Sequence, residues 1–165
     1  MNIILLGFMG TGKTSVGKKL SGKLSMHYID TDEMIEKEVK LEIWRIFAEF
    51  GEQYFREIEK KAIEKVSKLD NYVISTGGGM VLFEENIKNL KKHGKLICLT
   101  ASPEEIYKRI EKETHRPLLK TPDAKTKIRE LLKLRAPLYA KADHIIDTTN
   151  LNVDEVVEKI EKLIR

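Results

Sequence analysis

The stretch Gly7-Phe8-Met9-Gly10-Thr11-Gly12-Lys13-Thr14 follows the apolar run Ile3-Ile4-Leu5-Leu6 directly and leads into helical periodicity over residues 15–24. A strand that turns into a helix through glycines at 7, 10 and 12 constrains this chain more than any other feature. The glycines let the backbone curl until successive N–H groups point inward, and the helix presents its positive N-terminal end to the same space. Such a loop cradles phosphate. Lys13 adds a point charge and Thr14 offers a hydroxyl to Mg²⁺, so Gly10, Thr11, Gly12, Lys13, Thr14 and Ser15 are expected to hold a nucleotide's phosphates.

The rest of the sequence decides what such a loop serves. With 165 residues, 41% of them hydrophobic and 34% charged, the chain suits one domain over 1–165 with its own core. Its apolar runs are too short to span a bilayer and the first strand begins almost at once, so a cytoplasmic protein without membrane contact is expected. Cys98, the only cysteine, lies within Leu96-Ile97-Cys98-Leu99, which reads as a buried thiol and excludes an intrachain disulfide. The net charge of +4 comes from lysines scattered among glutamates on helical segments, a pattern of solvated faces that argues against nucleic acid. Seven of the 30 basic residues are arginines, so an arginine beside a motif points to use of its planar fork on carboxylate or phosphate.

Strand signals at residues 2–6, 27–29, 72–75, 96–100 and 144–146 alternate with helical segments. That alternation predicts an α/β fold with a parallel sheet covered by helices, whose ligands gather beyond the carboxyl ends of the strands. After the second strand comes Asp30-Thr31-Asp32. Two carboxylates there can divide their work between the Mg²⁺ shell and a substrate hydroxyl, or Thr31 or Asp32 can cap the following helix. The run over residues 43–59 reads as two helical pieces hinged near Gly51, with Trp44, Phe47, Phe50, Tyr54 and Phe55 as core. Arg56 and Glu59 share one helical face, either as an ordinary ion pair or with Glu59 fixing the guanidinium for an anionic substrate group. The third strand ends in Gly77-Gly78-Gly79, a tight turn or a backbone open to close ligand approach.

Ser102 and Pro103 read as the cap and first position of a helix. Residues 111–123 are polar, contain Pro117 and Pro122, and suit a mobile lid that brings Arg116 to the transferring group. In Leu134-Arg135-Ala136-Pro137-Leu138-Tyr139, Pro137 is expected to bend or restart the helix and aim Arg135 at the pocket. A final amphipathic helix spans residues 153–164.

In combination, GFMGTGKT, DTD at 30–32, IFAEFGEQYFREIE, STGGG, RPLL at 116–119 and LRAPLY at 134–139 resemble the shikimate kinases, over essentially the whole length and in the family's order. The resemblance implies a three-layer P-loop kinase with a mobile lid and a five-stranded parallel sheet of order 2-3-1-4-5. Residues of about 31–60 would form the substrate-binding segment and about 111–123 the lid. It also implies transfer of the ATP γ-phosphoryl group to the 3-hydroxyl of shikimate, with Mg²⁺, by a monomer in the pathway to chorismate and aromatic amino acids. Carried over by position, Lys13, Asp32 and Arg116 would be catalytic, and Arg109 and Arg116 would join the ATP site. Thr14 and Asp30 would face the metal. Asp32, Phe47, Phe55, Arg56, Gly77, Gly78, Gly79 and Arg135 would hold shikimate, Arg56 and Arg135 gripping its carboxylate. The rival readings are a kinase of another small hydroxylated anion such as gluconate, and a nucleotide-dependent switch without a small acceptor.

Overall fold

A strand covered on both faces must be apolar along its length, and Asn2-Ile3-Ile4-Leu5-Leu6 is buried at every position. In the computed structural model, which describes residues 1–111 and 122–165, this segment is β1 (Asn2–Leu6) at the centre of a five-stranded parallel sheet. The others are β2 (His27–Asp30), β3 (Tyr72–Ser75), β4 (Gly94–Thr100) and β5 (His144–Asp147), in the order β2-β3-β1-β4-β5. Ile4 stands opposite Ile74 on one side and Leu96 on the other. The single polar residue of β1 is satisfied: Asn2 donates to the Leu69 carbonyl at 2.7 Å and accepts from the Tyr72 amide at 3.0 Å.

Eight α-helices are described: α1 (Lys13–Leu24), α2 (Thr31–Val39), α3 (Ile43–Phe50), α4 (Glu52–Ser67), α5 (Glu84–Lys91), α6 (Pro103–Ile110), α7 (Ala124–Tyr139) and α8 (Val153–Ile164). Successive side chains of β1 point to opposite faces and seed two cores. Ile3 and Leu5 pack with Val16 and Leu20 of α1 and Val156 and Ile160 of α8. Ile4 and Leu6 pack with Ile63 of α4, Ile87 of α5, Ile106 of α6 and Ile128 of α7. The result is the expected three layers. A third cluster, Ile35, Ile46, Phe55 and Ala62, ties α2, α3 and α4 to one another.

Three local expectations are revised. Phe50 and Tyr54 stack on each other at 4.8 Å but are 51% and 43% exposed, so helical spacing alone overstated the core at the Gly51 hinge. The cap of α2 is Asp30, whose Oδ1 accepts from the amides of Asp32 and Glu33, and not Thr31 or Asp32. Finally, α7 runs from Ala124 to Tyr139 with Pro137 inside it and no restart. A proline so near a helix end forfeits one backbone bond, and its ring already fixes a helical φ.

Candidate active site

Because all five strands run the same way, Gly7, Asp30 and Thr76 emerge at one edge of the sheet, where a cavity of about 820 Å³ opens. It is lined from the loop side by Gly10, Gly12, Lys13, Thr14 and Ser15, and from the opposite side by Phe47, Phe55, Arg56, Glu59 and Arg135. Asp30, Asp32 and Gly77 to Gly79 lie between.

The loop's curl uses left-handed glycines: Gly10 has φ 76°, and a Cβ there would stand 2.8 Å from Ile110 Cγ2. Lys13 Nζ donates to the carbonyls of Gly7 at 2.6 Å and Phe8 at 2.9 Å. Thr11 turns its hydroxyl into the loop, donating to the Phe8 carbonyl at 2.8 Å, and is 1% exposed. Thr14 Oγ1 donates to Asp30 Oδ2 at 3.3 Å. One oxygen of Asp30 therefore caps α2 while the other meets Thr14 at the cavity. A hydroxyl and a carboxylate oxygen held together beside a phosphate loop are hard oxygen donors of the kind Mg²⁺ takes.

Asp32 stands at the divide between the two halves. Its Oδ1 is sealed from solvent with no hydrogen-bond partner among the described residues. Burial, and then the negative charges of Asp30 and Glu59, push its carboxyl up to about 7. Glu59 lies 27 positions away in the sequence and approaches Asp32 only through the fold. A Cβ on Gly77 would stand 2.8 Å from both Asp32 Oδ1 and Glu59 Oε2. Gly77 is thus glycine because two carboxylates converge on it.

Arg56 is 8% exposed and gripped from two sides. Its Nη1 donates to Glu59 Oε1 at 2.8 Å, and its Nη2 reaches Glu52 Oε1 at 3.3 Å. Burial raises the Glu59 carboxyl, and the charge of Arg56 works against that rise. The guanidinium lies 5.7 Å from the Phe47 ring centroid and 5.3 Å from that of Phe55, whose rings are 4.7 Å apart. A Cβ on Gly79 would come within 2.3 to 2.7 Å of the same guanidinium. Arg135 lies over the Phe8 ring at 5.5 Å and faces Gly78. Two arginine forks, an apolar wall and a glycine floor thus share one half of the cavity.

The family model described as shikimate kinase matches residues 9–165. The chain belongs to the shikimate kinase family. Within it, the chain is 51% identical over 161 residues to the shikimate kinase of Thermodesulfovibrio yellowstonii, covering 98% of this chain and 93% of that protein. It is 49% identical to that of Thermoanaerobacter pseudethanolicus, with 98% and 94% covered. Among solved structures, Acinetobacter baumannii shikimate kinase in complex with shikimate superposes with a TM-score of 0.94 at 35% identity, covering 99% of this chain and 92% of that one. The shikimate kinase of Aquifex aeolicus superposes with a TM-score of 0.87 at 36% identity, with 99% and 96% covered.

Not every site residue read from the sequence lines the cavity. Arg116, assigned to catalysis and ATP from the family resemblance, lies outside the described residues, as does most of the segment assigned as a lid. Arg109 sits behind the phosphate loop. Its Nε pairs with Glu105 at 3.1 Å, Nη1 donates to the Gly10 carbonyl and Thr148 Oγ1, both at 3.1 Å, and Nη2 donates to the Thr148 carbonyl at 2.9 Å. Thr148 is the residue the sequence reading missed. It is 2% exposed and lies 2.9 Å from the Thr100 carbonyl, so one hydroxyl joins the ends of β4 and β5 to Arg109 and the loop. Trp44, taken as core, lines the cavity with Glu42 and Ile43.

Proposed function

We propose that this chain transfers the γ-phosphoryl group of ATP to the 3-hydroxyl of shikimate, giving shikimate 3-phosphate and ADP, as a monomer in the cytoplasm. Family membership makes it an ATP-dependent kinase acting on a shikimate hydroxyl, with Mg²⁺. No helix among the described residues is long and apolar enough to cross a membrane. We read residues 1–165 as one domain, with about 31–60 as its substrate-binding segment and about 111–123 as its lid.

The observation that carries the reading is the pairing, in one cavity, of the Lys13–Thr14 phosphate loop with a buried guanidinium fixed by Glu59. Phosphates rest on the loop amides of Gly10, Thr11 and Gly12 and on Ser15, and Lys13 exchanges its bonds to loop carbonyls for phosphate oxygens. Thr14 and Asp30 hold Mg²⁺, which when bound neutralises charge on the phosphates. Arg109 braces the loop from behind and offers a planar guanidinium face to the base. Across the cavity, Arg56 and Arg135 grip the shikimate carboxylate, Phe47 and Phe55 pack against the ring, and Gly77 to Gly79 let it approach. Asp32 orients the 3-hydroxyl and takes its proton as the new P–O bond forms and the bond to the ADP oxygen breaks. Arg116 meets the transferring group from the lid.

Rate enhancement in such a site comes from alignment and charge neutralisation more than from a strong base. A coupled ADP-release assay with shikimate, gluconate and AMP as separate acceptors tests the reading. Turnover with shikimate and none with the other two is expected. Turnover with gluconate or AMP in place of shikimate would overturn it.

A further inference from the structure

We infer that Tyr139 is a positioning residue of the acceptor half of the site: its hydroxyl locks the Gly78 carbonyl and Arg135 to one another, so that the glycine floor and the arginine fork move as one unit. The inference deepens the shikimate reading and rests on it.

Tyr139 is 4% exposed and is not among the side chains lining the cavity, so it does not act by touching an acceptor. Its Oη donates to the Gly78 carbonyl at 2.7 Å, across 61 positions of sequence, joining the last turn of α7 to the loop after β3. Arg135 is one helical turn earlier on α7, on the same face, and its guanidinium lies beside the same hydroxyl. Arg135 in turn faces Gly78, where an added Cβ would stand 3.6 Å from its Nη1. The three groups therefore form a closed triangle.

That triangle has a reason to exist. Gly78 lies between two glycines, in a segment with no side chain of its own to fix it. Its Cα borders Gly7 and Met9 of the phosphate loop, since a Cβ on Gly78 would approach the Gly7 carbonyl at 3.3 Å and the Met9 amide at 3.5 Å. Arg135 has a long, rotamer-rich side chain that also lies over the Phe8 ring at 5.5 Å. A planar fork binds a carboxylate well only when it is already aimed. Burial pushes the Tyr139 hydroxyl up to about 12, with the charge of Arg135 pulling against that rise, so it stays a neutral donor at any working pH.

The test is Tyr139→Phe, which removes one oxygen and keeps the ring in the core. Steady-state kinetics are measured with each substrate varied, alongside thermal melting, for wild type, Tyr139→Phe, Arg135→Ala and the double variant. The expected result is a shikimate KM raised about five- to tenfold, the scale of one neutral hydrogen bond. The ATP KM stays within about twofold, and the double variant binds shikimate no worse than Arg135→Ala alone. A uniform fall in kcat with both KM values unchanged, equal losses in the two KM values, or additive effects in the double variant would each overturn the inference. Failure of the wild type to turn over shikimate would instead remove the reading beneath it, and the wild-type arm reports that separately.

Discussion

Asp32→Asn should stabilise the ligand-free protein at pH 8 while removing phosphoryl transfer. Folding lifts the Asp32 carboxyl from 3.8 to about 7, chiefly by burial and then by the charges of Asp30 and Glu59. The sign follows from proton counting: near neutral pH the folded protein binds a proton that the unfolded chain has released, so stability falls as pH rises. The contribution is fully present below 3.8, declines across the interval, and is gone above about 7. Over the whole interval it amounts to about 4 kcal/mol, and between pH 5 and pH 8 to roughly 3 kcal/mol. Asparagine has almost the same shape and no charge to bury. The stability difference between variant and wild type should therefore move in the variant's favour by roughly 3 kcal/mol from pH 5 to pH 8. For a chain of this size that is about 5–10 °C in Tm. Urea titrations and thermal melts of both proteins at the two pH values, in EDTA and without nucleotide, measure it. Comparing the two pH values cancels any pH-independent cost of fitting the amide. A difference that stays the same at both, or moves towards the wild type, would refute the burial argument. Full turnover by the variant would separately refute a role for the carboxylate.

Two further substitutions probe the two halves of the cavity independently. Gly79→Ala places a methyl within 2.7 Å of the Arg56 guanidinium, driving it from Glu59 and exposing the cost of a broken buried pair, about 3–5 kcal/mol before relaxation. The shikimate KM should rise at least tenfold or so while the ATP KM holds, and unchanged kinetics would show that Arg56 does not need its present position. Thr148→Val keeps the shape and removes the hydroxyl that Arg109 Nη1 shares with the Gly10 carbonyl. There the ATP KM should rise about three- to tenfold with the shikimate KM constant, and Thr148→Ser should restore it; an effect confined to shikimate would contradict the bracing role.

The sheet was legible because its signal is local. A five-residue apolar run with a glycine loop behind it can be little else than a central strand entering a phosphate site, and β1 pairs on both sides as that demands. Helix limits were legible where a side chain states them: Ser102 Oγ accepts from Glu105 at 3.2 Å, and Asn152 with Glu155 closes a capping box at the start of α8. The helix after Asp30-Thr31-Asp32 was harder, because any of these three neighbouring side chains can cap and only the direction of the entering strand selects Asp30. The exposed pair Phe50 and Tyr54 failed for a related reason. Periodicity reports which residues share a face, and says nothing about whether another element covers that face.

What sequence spacing could not convey is convergence. Asp32 and Glu59 are ordinary carboxylates until the fold buries both against the bare Cα of Gly77, and only then do they lose their usual acidity. Glycines at 77 and 79 look alike in the sequence, yet one makes room for carboxylate oxygens and the other for a guanidinium, and neither requires a left-handed backbone. The same distinction separates the two glycine motifs of the chain. Those of the phosphate loop are required by backbone conformation, so their spacing is fixed and readable. Those after β3 are required by what other segments bring to them, so their purpose appears only once α4 and α7 have delivered Arg56, Glu59 and Arg135 to the same edge of the sheet. A site built this way ties specificity to the packing of whole helices, which is why substitutions at buried positions that never meet a substrate, Thr148 and Tyr139 among them, are expected to separate the two Michaelis constants.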